Sequence, residues 1–153
     1  APQASLRFQA MEDDDSGNFG GVSMDTLIRK GYEGSSYIHT NSWGMDGYYG
    51  EYTTSSEDTD SRTNQYDQFW SYNGMLVLVS AGNDGPDSDT ITPPATAKNI
   101  VAVGNHHNRG GGAPSTLADG SSRGPTDDGR IQPLRRCRPG RRGACRPDRY
   151  YTT

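Results

Sequence analysis

The residue in this sequence that is best suited to take part in a chemical reaction is Asn83, which lies in the segment Ser80–Pro86. That segment follows the apolar run 75–79, whose length and β-branched content are typical of a strand buried on both faces of a parallel sheet. In open α/β sheets, ligands bind at the carboxyl ends of the strands. A carboxamide held there by small neighbours can donate an N–H to a developing negative charge. The alternative is an ordinary turn, because Asn and Gly are common turn residues.

Three further segments occur around this one and help to decide between the alternatives. They are Ile38–Gly44 (IHTNSWG), Pro94–Gly104 (PATAKNIVAVG) and Ser121–Pro125 (SSRGP). Taken in this order with Ser80–Pro86, they resemble the middle of a subtilisin-like serine protease, a member of the subtilase family. The resemblance extends from residue 1 to about residue 133, and it favours an active-site role for the Ser80–Pro86 segment.

The resemblance implies specific roles for two groups of residues. Asn83 matches the asparagine that supplies the side-chain donor of the family's oxyanion hole. The primary specificity pocket would have one wall made by Ser42, Trp43 and Gly44 and the other by Ser80, Ala81 and Gly82. Extended backbone with small residues can pair edge-on with a polypeptide substrate, which agrees with these roles. Trp43 could equally be an aromatic residue of the core or its rim.

The catalytic Asp, His and Ser that the resemblance implies, in that chain order, have no counterpart in this sequence. Asp15-Ser16-Gly17 imitates the aspartate motif, but it follows acidic residues rather than an apolar strand, and it lies after sequence that resembles a region downstream of the histidine. His39 falls inside a predicted strand, and Ser42 has no neighbouring base. We therefore expect a fragment of a subtilisin-like endopeptidase that keeps the oxyanion donor but is inactive alone.

Other function classes make different predictions. A non-catalytic peptide-binding module of the same family would bind peptides without turnover. A nucleic-acid binder would use the arginine-rich residues 134–153 and lose affinity steeply with salt. We favour the protease fragment, with polypeptide as partner and without nucleic-acid or membrane binding.

The elements that must position these residues alternate between strands and helices. A helix is predicted from the N-cap Ser23 to about Gly34, and a second over Ser61–Tyr72 after a loop at 43–60. Strands are predicted at Ser5–Ala10, Ser36–Asn41, Met75–Ala81 and Asn99–Val103. This order predicts an α/β fold, a subtilisin-like doubly wound parallel sheet with helices on both faces, here incomplete.

Residues 134–153 differ from the rest in composition. Residues 1–133 carry 18 acidic and 8 basic side chains, whereas 134–153 carry one acidic residue and seven arginines. Codons for Arg135–Gly140 can be chosen so that the next frame encodes Asp-Val-Val-Ala-Pro-Gly, the continuation that the family resemblance implies. Our hypothesis is a frameshift after Pro133, which makes Cys137 and Cys145 accidental rather than a disulfide. We expect this tail to be disordered.

Targeting and metal signals are weak. No stretch reaches the roughly 18 apolar residues of a membrane span, and no signal peptide is visible; the resemblance alone implies an extracellular location for the intact protein.

His106 and His107 have no carboxylate at a ligand spacing, so we predict no metal there. Some subtilases bind calcium, which makes calcium a candidate cofactor by resemblance; Asp84, Asp87 and Asp89 are candidate ligands without a recognised spacing.

Overall fold

The computed structural model describes residues 3–11, 21–63, 74–107 and 117–130. Two helices and three strands alternate in the order α1, β1, α2, β2, β3. The helices are α1 (Met24–Glu33) and α2 (Thr54–Thr63), and the strands are β1 (Ile38–Asn41), β2 (Leu76–Ser80) and β3 (Val101–Val103). The strands form a parallel sheet in the order β1-β2-β3, with Asn41 opposite Val79 and Ser80 opposite Val103. The expectation of a parallel α/β fold is confirmed.

Helix α1 begins and ends where the sequence predicts. The Ser23 hydroxyl accepts a hydrogen bond from the Thr26 N–H at 3.3 Å, which satisfies one of the free donors of the first turn. Gly34 closes the helix, and its N–H donates to the Lys30 carbonyl. Apolar residues on one side of α1 are almost fully buried and pack on β2. They are Met24, Leu27 and Ile28.

The sheet has one buried face and one exposed face in the described part of the chain. Val77, Val79 and Ala102 are at most 2% exposed and pack in the core beneath α1. The opposite side, which we call the open face, consists of Ile38, Leu76, Val101 and Val103, with exposed fractions from 41% to 61%. The prediction that run 75–79 is buried on both faces is therefore wrong for this chain. Side chains alternate along a strand, and α1 covers only the Val77 side.

Two predicted elements differ from the structure. Residues 5–10 form no strand: Leu6 and Phe8 are largely exposed, and the segment is instead tied to α1 by a hydrogen bond from the Gln9 amide to the Leu27 carbonyl at 2.9 Å. Helix α2 begins seven residues before the predicted Ser61, inside the expected loop. Residues 64–73, which include most of the predicted helix, lie outside the described ranges, as do Asp15-Ser16-Gly17 and the tail 134–153.

Polar contacts hold α2 in place, and this explains why apolar periodicity does not reveal it. Ser56 is fully buried, and its hydroxyl lies 2.7 Å from that of Thr96. The Asp60 carboxylate accepts hydrogen bonds from the backbone N–H groups of Lys98 and Asn99 at 2.7 Å, which anchors the residues just before β3. Where the structure describes the chain, it contains no helix long and apolar enough to cross a membrane.

Candidate functional site

The two segments predicted to form the pocket walls converge on Thr92. Strands β1 and β2 are parallel neighbours, so residues 42–44 and 80–82 leave the sheet at the same edge. The Thr92 N–H donates to the Ala81 carbonyl at 3.2 Å, and a Cβ on Gly44 would collide with the Thr92 hydroxyl. The Met45 N–H donates to the Pro93 carbonyl at 2.9 Å. Thr92 and Pro93 thus connect the two segments.

Ser122 supports the turn that carries Asn83. Gly82 has φ +117°, a conformation that favours glycine, and a Cβ there would lie 2.5 Å from the Ser122 hydroxyl. The Ser122 N–H donates to the Gly82 carbonyl at 3.2 Å, and the Ser122 hydroxyl accepts from the Asp84 N–H at 3.1 Å. Asn83 itself is exposed. The backbone on both sides of Asn83 is therefore fixed, while its carboxamide is accessible to a substrate.

The individual wall residues differ in accessibility. Ser42 is exposed, Trp43, Gly44, Ser80 and Gly82 are half-buried, and Ala81 is buried. Trp43 packs against the hydrophobic core and donates its indole N–H to the Asn41 side-chain oxygen at 3.3 Å. Trp43 therefore has the contacts of a core-rim aromatic and also lies between the exposed Ser42 and the half-buried Gly44 at the edge of the candidate site.

Carboxylates lie close to the candidate site. Asp84 is next to Asn83, and its carboxylate acts on the phenol of Tyr49. The negative charge of Asp84, followed by partial desolvation and the charge of Asp46, raises the pKa of Tyr49 above its ordinary value of 10. Tyr49 is thus a protonated donor at neutral pH. Asp46, which follows the 42–44 wall, and Asp84 give this edge of the site a negative potential.

His39 lies within β1, as the sequence predicts, and it is bonded on both sides of its ring. Nε2 lies 2.7 Å from the Gln9 side-chain oxygen, and Nδ1 lies 2.9 Å from the Asn41 amide nitrogen. Burial lowers the pKa of His39 below its ordinary value of 6.5, because removing water disfavours the charged ring. At neutral pH His39 is therefore uncharged and engaged with two amides.

The remaining candidates are not brought together. The His106 ring is 3.0 Å from the His107 backbone carbonyl. Asp84, Asp87 and Asp89 are exposed, and across the described ranges no group of three or more His, Cys, Asp or Glu residues is arranged to hold a metal ion. Cys137 and Cys145 lie outside the described residues. The candidate site is accordingly built from Asn83 and the two walls.

Sequence reasoning missed Thr92 and Ser122, both at most 2% exposed. The motif Ser121–Pro125 marks the second of them as part of a family-like segment, but it does not show that its hydroxyl supports the turn at Asn83. Thr92 precedes two consecutive prolines, and this is the only local signal at that position. The role of each residue depends on contacts with segments far away in the chain.

Replacing Gly82 by alanine should lower the free energy of unfolding by about 1–3 kcal/mol, because the new Cβ meets both an unfavourable φ and the Ser122 hydroxyl. Two matched alanine variants separate these causes. Gly129 has φ +75° in open space, so its variant should lose only about 1 kcal/mol; Gly21 has open space and no positive φ, so its variant should be nearly neutral. Urea unfolding checks the order, and equal losses in all three variants would contradict it.

Known proteins resemble this chain in sequence and in fold. The model of the subtilase family, Peptidase S8, matches residues 1–134. The chain is 38% identical over 79 residues to the serine protease AprX of Bacillus subtilis (strain 168), a match that covers 50% of this chain and 18% of AprX. The chain therefore spans less than a fifth of this curated relative.

Solved structures show the same fold. The prenylagaramide maturation protease PagA superposes with a TM-score of 0.53 at 21% identity, over 75% of this chain and 36% of PagA. The protease domain of PatA gives a TM-score of 0.51 at 20% identity, over 75% and 37% of the two chains. The parallel sheet, the order of the motifs and a family match that covers most of the chain lead to one conclusion: this chain belongs to the subtilase family.

Proposed function

We propose that this chain supplies the oxyanion donor and the substrate-binding walls of a subtilisin-like serine endopeptidase. The observation that carries the proposal is the position of Asn83. Its exposed carboxamide lies on a turn supported by Ser122, at the edge of the sheet where residues 42–44 and 80–82 both contact Thr92. The backbone that carries this donor is held before the substrate arrives, which reduces the reorganisation needed to stabilise developing charge.

The proposed mechanism begins with a polypeptide substrate extended along residues 42–44 and 80–82, where backbone pairing would hold it. The carbonyl of the scissile bond would then lie near Asn83. When a nucleophile attacks that carbonyl, its oxygen gains negative charge, and the Asn83 amide would donate a hydrogen bond to it. This interaction is stronger in the transition state than in the substrate, so it contributes to catalysis rather than to binding.

The nucleophile and general base are proposed to come from outside this chain. In the parts of the chain that the structure describes, His39 is bonded to Gln9 and Asn41, and His106 to a backbone carbonyl, so neither is arranged to activate a serine. We infer that the chain alone binds peptides but does not cleave them. Secretion of the intact protein and calcium binding are further proposals that rest on family membership alone.

The purified chain should bind acetyl-Ala-Ala-Ala-Leu p-nitroanilide saturably, without releasing p-nitroaniline faster than buffer does. Binding is measured by chemical-shift changes in the chain, and hydrolysis by absorbance. Trp43→Ala should weaken binding because it removes the side chain at the centre of one wall. Tyr37→Ala is the matched control, since Tyr37 is 69% exposed and lies at the opposite end of β1.

Two outcomes would contradict the proposal. Absence of binding, or equal weakening by Trp43→Ala and Tyr37→Ala, would show that residues 42–44 are not a substrate wall. Release of p-nitroaniline that a serine-directed inhibitor abolishes would show that the chain contains its own nucleophile and base.

A further inference from the structure

We propose that His39 is a positioning residue for the substrate wall: through Asn41 it fixes the indole of Trp43 at the peptide-binding edge. This inference rests on the proposed function, since it concerns how one wall of that site is held. The observation behind it is a continuous chain of hydrogen bonds that connects Trp43, Asn41, His39, Gln9 and the backbone of α1.

The donor and acceptor roles in this hydrogen-bond network are determined by the groups at its two ends, the Trp43 indole and the Leu27 carbonyl. The Trp43 indole N–H can only donate, so the Asn41 oxygen accepts and the Asn41 NH₂ group faces His39. Nδ1 of His39 is therefore an acceptor, and the ring proton is on Nε2, which donates to the Gln9 oxygen at 2.7 Å.

The Leu27 end of the network independently predicts the same tautomer of His39. The Leu27 carbonyl can only accept, so it takes a hydrogen bond from the Gln9 NH₂ group and leaves the Gln9 oxygen facing His39. One neutral tautomer of His39 thus satisfies all five groups at once. A histidine protonated on both nitrogens would instead present Nδ1–H to the Asn41 NH₂ group, two donors facing each other.

The surroundings of His39 favour this neutral tautomer. Gly31 of α1 makes room for the ring, because a Cβ there would lie 3.3 Å from the ring Cδ2 atom and from the Met75 methyl group. The groups that face His39 are uncharged: Gln9 from the N-terminal segment, Gly31 from α1, Asn41 from its own strand and Val77, its register partner in β2. Burial, rather than a neighbouring charge, lowers its pKa.

A consequence for Trp43 follows from the geometry. Asn41 is buried, and its NH₂ group also faces the Leu78 carbonyl at 3.4 Å, so the carboxamide has few orientations available. When His39 takes up a second proton, the carboxamide must turn over or move away. Either change removes the oxygen that accepts the indole N–H of Trp43, so the indole loses the hydrogen bond that orients it within its packing against the core.

The primary experiment follows the ¹H–¹⁵N resonance of the Trp43 indole in the full chain. The Trp70→Phe background leaves a single indole, since the chain has two tryptophans. The resonance should shift as the pH falls below 6.5, and the Kd for acetyl-Ala-Ala-Ala-Leu p-nitroanilide should rise about three- to tenfold over the same range. In His39→Phe both pH dependences should disappear, and the Kd at pH 7.5 should exceed that of the parent, because the Asn41 NH₂ group loses its acceptor on His39.

Variants of Asn41 distinguish positioning from a general loss of structure. Asn41→Leu has a similar shape but no acceptor, so the indole resonance should move away from its position in the parent and should no longer titrate. Asn41→Asp keeps an acceptor for Trp43 and gives His39 a negative partner; the indole signal should remain, and its titration should move above pH 6.5. Gln9→Leu, at a half-buried site outside the sheet, should produce a smaller shift in the direction of His39→Phe.

Stability gives a second, independent readout. Because burial lowers the pKa of His39, the unfolded chain binds more protons than the folded chain below pH 6.5. The contribution of His39 to the free energy of unfolding is therefore unaffected above pH 6.5 and decreases as the pH falls below it. In His39→Phe this part of the pH dependence should be absent.

Persistence of the indole titration in His39→Phe, or an indole signal in Asn41→Leu identical to that of the parent, would overturn the proposal. The indole measurement needs no peptide. If the parent chain fails to bind the peptide while its indole still titrates through His39, the proposed function fails and the positioning of Trp43 by His39 is retained.

Discussion

Asn83→Ala should lower kcat about a hundred- to a thousandfold, with little change in KM, in a chimeric protease that contains this segment. In the chimera, residues 36–130 of this chain, which include both Asn83 and Ser122, replace the corresponding segment of B. subtilis AprX, and AprX supplies the rest of the protein. The magnitude is the one known for the oxyanion asparagine of subtilisin itself. KM should change little, because the amide contacts charge that develops only after attack.

The physical basis is the fixed backbone of the turn that carries the donor. Ser122 bonds the backbone at Gly82 and at Asp84, so the alanine variant should keep the turn and lose only the carboxamide. Asn83→Asp is a stricter test, because it preserves shape, removes the N–H donor and adds a negative charge that repels the oxyanion. Its kcat should fall at least as far as that of Asn83→Ala.

The matched control is Asn99→Ala. Asn99 is also exposed, but it precedes β3, and parallel strands place its end of the sheet opposite the carboxyl edge that carries Asn83. Its variant should keep the kcat of the parent chimera. An inactive parent chimera, a loss of less than tenfold in Asn83→Ala, or an equal loss in Asn99→Ala would each contradict the assigned role and favour a peptide-binding module without catalytic function.

The sequence predicts the parts of the fold that depend on local chemistry. Ser23 caps α1 because its hydroxyl is next to free backbone donors, and Gly34 ends the helix. The apolar run 75–79 predicts β2 because its length and its two valines are typical of a strand, although Leu76 is half exposed rather than buried. The ordered motifs also select residues 42–44 and 80–83, which the structure brings to the same edge of the sheet; their roles as substrate walls and oxyanion donor are proposals that rest on the family resemblance.

Helix α2 and the residues that support the site depend on contacts between segments far apart in the sequence, and local sequence patterns do not reveal such contacts. Ser56 and Thr59 of α2 are fully buried despite their hydroxyl groups, because Thr96 and the helix backbone accept their hydrogen bonds. A pattern search for apolar residues therefore places the helix too late. Thr92 and Ser122 are comparable cases at the site, where a hydroxyl becomes important only because a glycine from another segment lies against it.

Two isoleucines test whether the sheet is stabilised from one side. Ile28→Ala should lower the free energy of unfolding by about 2–5 kcal/mol, because Ile28 is 2% exposed and packs between α1 and the sheet. Its removal leaves a cavity that the surrounding residues fill only partly, so lost burial and lost packing add together. Urea unfolding monitored by circular dichroism gives the value.

Ile38→Ala is the matched change on the open face and should cost less than about 1 kcal/mol, mostly through the lower β propensity of alanine. Ile38 is 61% exposed, so its side chain removes little apolar area from water in the folded chain. If the two variants lose similar stability, the open face is covered in solution, and this result would contradict the exposure of Ile38. A large difference instead means that α1 and the Val77 side of the sheet hold β2 in place, and with it the turn that presents Asn83.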